Sequence, residues 1–149
     1  KQEFHIRGRL LHTPEFKTDD SRARFVLPLS KGHQPATTHT FTLMTIRSEG
    51  QFNSIIYEDK DSYRSVKHRW SVLMNLQDAL SLGVSEGGFV DLISDDGEMK
   101  KLQVKIFNVP RHCVAAYYPE ANILSSRRCD PRSHTPQFKS ISVSVCATK

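Results

Sequence analysis

The chain has 149 residues, 38% of them hydrophobic and 25% charged, with a net charge of +5. That length suits one domain able to bury about two-thirds of its unfolded surface, and apolar residues grouped into strand-like runs exclude a disordered chain. No apolar run approaches the ~18 residues of a membrane span and the N-terminus lacks a signal-peptide pattern, so a cytoplasmic protein without a membrane partner is expected.

Lys and Arg outnumber Asp and Glu by 21 to 16. This modest excess favours phosphate-bearing partners but falls short of the dense basic stripe of a nucleic-acid binder. Cys113, Cys129 and Cys146 are odd in number and far apart, without zinc or iron–sulfur ligand spacing, so reduced thiols are expected. No pair of histidines has helical i,i+4 spacing, and no metal site is predicted. The chain starts at Lys1, directly in strand-like FHIRG, and is expected to be a fragment of a longer protein.

In chain order, Phe4 to Leu11 and Arg24 to Leu29 read as strands, and Lys31 to Thr38 as a loop. Phe41 to Ile46 (FTLMTI) is an apolar strand, followed by a long polar excursion from Ser48 to Lys67 and a buried strand from Trp70 to Met74. Asn75 can cap a helix of about two turns that ends at Leu82, with Asp78 favoured by the helix dipole and Gly83 as the left-handed terminator. Phe89 to Ser94 and the alternating Leu102, Val104 and Ile106 form a hairpin around the Asp96-Gly97 turn. Val114 to Tyr118 is a further apolar piece. A Ser/Arg/Pro-rich loop from Asn122 to Gln137 leads to the last strand, where Ile141, Val143 and Val145 alternate with serines. Seven or more short strands, one or two short helices and no βαβ alternation predict an all-β closed barrel.

The segment Thr45 to Asn53, TIRSEGQFN, carries the chemistry. An apolar strand runs straight into a basic, hydroxyl- and amide-rich loop. Strand-end N–H groups, the Arg47 guanidinium and the Ser48 hydroxyl can converge on a diphosphate, with Gly50 allowing close backbone approach.

The order TIRSEGQFNS, R-WSVLMN, DALSLGVSEGGFVDLIS-DDG, YYPEAN and SHTPQFKSISVSV resembles the C-terminal dinucleotide-binding domain of molybdopterin oxidoreductases, over roughly residues 22–145. The resemblance implies a six-stranded double-psi barrel that binds the guanine dinucleotide arm of a bis-molybdopterin guanine dinucleotide cofactor. The metal would be held elsewhere in a formate dehydrogenase-like catalytic subunit, whose remaining domains are the implied partners.

Matched residue by residue, Thr45, Arg47, Ser48, Gln51, Phe52 and Asn53 correspond to the family's first binding loop. Asn75 corresponds to the segment beside the nucleotide, and Tyr117, Asn122, Phe138 and Lys139 to the elements closing over the pterin. Formate dehydrogenases resembling this chain carry His-Tyr where Gln51-Phe52 stands, so the likeness is more to formate dehydrogenase-like oxidoreductases of unassigned substrate than to a true formate enzyme.

Each residue also has a plainer reading. Arg69 either touches a phosphate or pairs with Glu58 or Asp59. Asn75 is first a helix cap, and Tyr117 and Phe138 are ordinary core or rim aromatics by default. The domain alone is expected to be inactive. Two other functions fit the same barrel: a cofactor-free protein-interaction module of the kind attached to AAA-type ATPases, and a basic nucleic-acid-binding barrel.

Overall fold

A computed structural model describes residues 15–27, 39–48, 50–52 and 58–148. Contacts divide the chain into two compact units, Lys1–His33 and Gln34–Lys149. In the first, the Thr18 hydroxyl donates to the Arg22 carbonyl at 2.8 Å and the Asp20 carboxylate accepts from the Arg22 N–H at 3.3 Å, closing a tight polar turn. The expected strand from Arg24 is not formed over residues 24–27. Phe25, Val26 and Leu27 are exposed there, and no strand among the described residues pairs with them. The expected Phe4 to Leu11 strand and the 31–38 loop lie outside the described residues.

The second unit contains strands β1 (Thr40–Ile46), β2 (Ser71–Met74), β3 (Phe89–Ile93), β4 (Glu98–Ile106), β5 (Cys113–Tyr117) and β6 (Ile141–Ala147), one helix α1 (Leu76–Ser81) and a 3₁₀ helix (Glu120–Leu124). The strands close into a barrel in the order β1-β5-β2-β4-β3-β6. Two pairs are parallel, β1 with β5 and β2 with β4, and the other four contacts are antiparallel. Closure leaves no sheet edge to protect.

Strand periodicity decides what fills the interior. Ile141, Val143 and Val145 point inward while Ser142, Ser144 and Cys146 face outward, and Phe41, Leu43, Val72, Met74, Val90, Leu92, Leu102 and Val104 complete the core. Each such side chain contributes roughly 1.5–3 kcal/mol by leaving water. The β3–β4 ladder shifts register between Val90 and Leu92; there Lys101 takes a positive φ of 55° and its N–H donates to the Asp91 carboxylate at 2.8 Å.

Register also fixes where each strand leaves the barrel. Ile46, the last residue of β1, pairs with Tyr117 at the end of β5, whereas Met74, the last of β2, pairs with Val114 near its start. The loop after β1 and the helix after β2 therefore lie at opposite ends of β5.

At the β3–β4 turn, Gly97 lies so close to the 3₁₀ helix that a Cβ would sit 2.4 Å from the Ile123 carbonyl oxygen. Only glycine allows this approach. The turn thus supports the 3₁₀ helix directly.

Candidate functional site

Two chain segments meet beside the C-terminal end of β1. The Thr45 N–H and hydroxyl both donate to the Phe138 carbonyl, at 3.3 and 3.0 Å, and the Lys139 ammonium donates back to the Thr45 carbonyl. The approach to β6 is thereby laid across the end of β1. Between this seam and the 3₁₀ helix opens a cleft of about 580 Å³, lined by Thr45, Arg47, Tyr118, Asn122, Ser125, Ser126, Arg127, Pro136, Phe138 and Lys139. Its volume is that of a site for a cofactor-sized ligand.

The electrostatics favour an anion. Arg47, Arg127 and Lys139 line the cleft, and none of its described lining residues is acidic. Burial, reinforced by the nearby Arg47 charge, pushes the Lys139 ammonium below its usual range. Two cations held together in this way are an arrangement that a bound phosphate relieves. Flat walls flank them: the Arg47 guanidinium lies 5.8 Å from the Tyr118 ring centre, and the Lys139 ammonium 5.3 Å from that of Phe138.

Beneath this surface lies a buried polar network. Ser48, Gln51, Arg69, Asp61 and Tyr117 are each at most 5% exposed. The Gln51 side-chain carbonyl accepts from the Ser48 N–H at 3.2 Å and its amide donates to the Tyr118 carbonyl at 3.0 Å. Arg69 donates two bonds to the Glu120 carboxylate, at 2.8 and 3.0 Å, one to the Ser48 hydroxyl at 2.6 Å, and one to the Tyr118 carbonyl.

Further in, Asp61 accepts from the Tyr117 hydroxyl at 2.9 Å and from Arg64 at 2.6 Å, while Arg64 also reaches the Arg47 carbonyl at 3.2 Å. Burial opposes ionisation of Asp61, but its bonds from Arg64 and Tyr117 outweigh that and hold its carboxyl below the usual range. Tyr117 shows the reverse: burial first, then the bond to anionic Asp61, push its phenol well above the ordinary value.

The structure therefore sorts the residues nominated from sequence. Thr45, Arg47, Asn122, Phe138 and Lys139 come together in the cleft. Ser48, Gln51, Arg69 and Tyr117 lie in the network below it, and Phe52 is 77% exposed outside the lining. Arg69 pairs with Glu120, a partner 51 residues away, in place of the Glu58 or Asp59 pairing considered from sequence; Asp59 accepts instead from its backbone N–H. Asn75 caps α1 by accepting from Gln77 N–H at 2.9 Å and gives its amide to the Val109 carbonyl at 2.8 Å, beside the far end of β5 from Arg47. Asn53 lies outside the described residues.

Tyr118, Ser125, Ser126, Arg127 and Pro136 line the cleft without having been nominated as site residues, although Arg127 belongs to a basic cluster with Arg128 and Arg132 that favours phosphate-bearing partners. Parity was the available signal for Tyr118, because buried Tyr117 forces its neighbour to the other side.

The fold and the site together define a closed six-stranded β-barrel with a cationic cleft at one rim. The chain belongs to the molydopterin dinucleotide binding domain family, whose model matches residues 41–142. It is 34% identical over 91% of its length to an uncharacterized oxidoreductase of Mycobacterium tuberculosis, and 32% identical over 86% to Protein YdeP of Escherichia coli. It spans only 19% and 18% of those relatives. Acetylene hydratase from Pelobacter acetylenicus shares the fold with a TM-score of 0.56 at 18% identity, over 72% of this chain and 18% of that one.

No described helix is long and apolar enough to cross a membrane.

Proposed function

We propose that this chain clamps the diphosphate-bearing arm of a molybdopterin dinucleotide in its guanine form, as part of bis-molybdopterin guanine dinucleotide in a formate dehydrogenase-like oxidoreductase. The remaining domains of that enzyme are its partners. The observation that carries this reading is the convergence of Arg47, Arg127 and Lys139 on one cleft without an acidic described lining residue. Such a donor set fits a diphosphate: guanidinium groups match phosphate oxygens two at a time and an ammonium adds a point charge. Asn122 and the Ser125 and Ser126 hydroxyls supply neutral donors beside them.

When bound, the cofactor supplies two-electron redox chemistry, while the barrel binds and orients it. Arg47 and Lys139 neutralise charge from two different chain segments, and the Tyr118 and Phe138 rings limit how far water enters.

Calorimetric titration of GDP into the chain tests the reading. Saturable binding is expected, indifferent to added RNA and weakened about tenfold or more by Arg47→Ala, since a charged hydrogen bond contributes ~1.5–3 kcal/mol. Salt-steep RNA binding without a GDP response would favour a nucleic-acid barrel. Absence of both responses would favour a protein-interaction barrel.

A further inference from the structure

Arg69 holds together the two walls of the cleft. Its guanidinium, 3% exposed, bonds the Ser48 hydroxyl in the loop after β1 at 2.6 Å. It also bonds the Tyr118 carbonyl and, at 2.8 and 3.0 Å, both oxygens of Glu120 in the 3₁₀ helix. Ser48 directly follows Arg47, and Tyr118 and Asn122 flank Glu120 in sequence. Of the groups that Arg69 bonds, the Tyr118 carbonyl belongs to a cleft-lining residue, Ser48 is adjacent to one, and Glu120 lies two positions from Tyr118 and from Asn122. The Tyr117 ring lies 5.2 Å from the guanidinium carbon, beneath it.

We infer that Arg69 is a positioning residue of this cleft: paired with Glu120, it sets the separation between the wall bearing Arg47 and the wall bearing Tyr118 and Asn122, without itself meeting the ligand. This rests on the reading of the cleft as a phosphate site. A guanidinium suits the task because its planar fork serves a carboxylate and two further acceptors at once. An ammonium on a lysine stem presents its three donors from a single atom and cannot span the same partners. Arg64 adds a second tie, from Asp61 to the Arg47 carbonyl, so the loop is held at two consecutive residues, by the Arg47 carbonyl and the Ser48 hydroxyl.

The near-isosteric Glu120→Gln variant distinguishes the roles by sign. With inorganic pyrophosphate as probe, well below the unfolding temperature, positioning predicts about tenfold weaker binding with an unchanged salt slope. Arg69→Lys should lose a similar factor, and the double variant little more than either single one, as expected for residues acting as a unit.

Tighter binding in Glu120→Gln would mean that a released Arg69 meets the anion directly, and would overturn the inference. So would unchanged affinity with only a lower unfolding temperature, which marks a scaffold role. Without any ligand, the amide resonances of Arg47, Tyr118 and Asn122 should move in Glu120→Gln, and their failure to move also overturns it. If the unaltered chain binds no pyrophosphate while those resonances do move, the cleft reading fails although the wall-spacing contact stands.

Discussion

The two ends of β5 use polar side chains in opposite ways. At the start of β5, Asn75 spends both ends of its amide on the Gln77 N–H and the Val109 carbonyl, and buried Asp78 is taken up by the Arg111 guanidinium at 2.5 Å and the His112 N–H at 2.7 Å. At its finish, the polar groups form two tiers: Ser48, Gln51, Arg69 and Glu120 bond one another, while the side chains of Arg47, Arg127 and Lys139 line an open cleft above them. Asn75 and Asp78 are thus bonded within the fold at the start of β5, where His112 Nδ1 is buried without a partner among the described residues. The finish of β5 instead gathers three cationic side chains on one cleft above the bonded lower tier, and the proposed diphosphate site rests on that arrangement.

Substitutions sharpen this contrast, the largest effect first. Arg69→Met leaves Glu120 and Ser48 without their shared donor, and removing one partner of a buried pair costs about 3–5 kcal/mol; because Glu120 remains 21% exposed, roughly 2–4 kcal/mol is expected, read as a lower urea midpoint. Gly97→Ala drives a methyl group into the Ile123 carbonyl and should cost ~1–3 kcal/mol, with resonances of the 3₁₀ helix displaced. Asn75→Ala should cost about 1 kcal/mol as a lost cap and leave GDP affinity unchanged. A fall in affinity there would erase the distinction between the two ends.

Two pH dependences follow from the same tiers. Asp61 has a folded pKa below its unfolded value of 3.8, so its contribution to stability is fully present above that value and is lost as pH falls through the folded pKa. Asp61→Asn should flatten this acid limb in denaturation curves.

Lys139 has a folded pKa below 10.5, and an anion favours its charged form. Diphosphate affinity should therefore be full below the pKa of the free protein and weaken as pH rises through it. In Lys139→Met, which carries no titrating group at this position, that alkaline decline should disappear from the titration.

The barrel was legible in the sequence because its signals are local. The alternation of Ile141, Val143 and Val145, the Asn75 cap and the Asp96-Gly97 turn each announce an element within a few residues, and the elements formed where expected. Arg24 to Leu27 shows the limit: an apolar run that reads as a strand is not one over the described residues 24–27, because apolar content does not specify pairing.

The site was legible only in part. Arg47 and Lys139, 92 positions apart, were both nominated, and they do share a cleft. Which polar residues face that cleft and which lie under it depends on long-range bonds such as Arg69 to Glu120, and spacing along the chain holds no trace of those.

Amide chemical-shift mapping during a GDP titration tests the central claim most directly. The account predicts saturable shifts concentrated at Arg47, Tyr118, Asn122, Arg127 and Lys139, with Asn75 and Leu76 unmoved. Shifts centred on Asn75, or none at the seam where Thr45 meets Phe138, would contradict it.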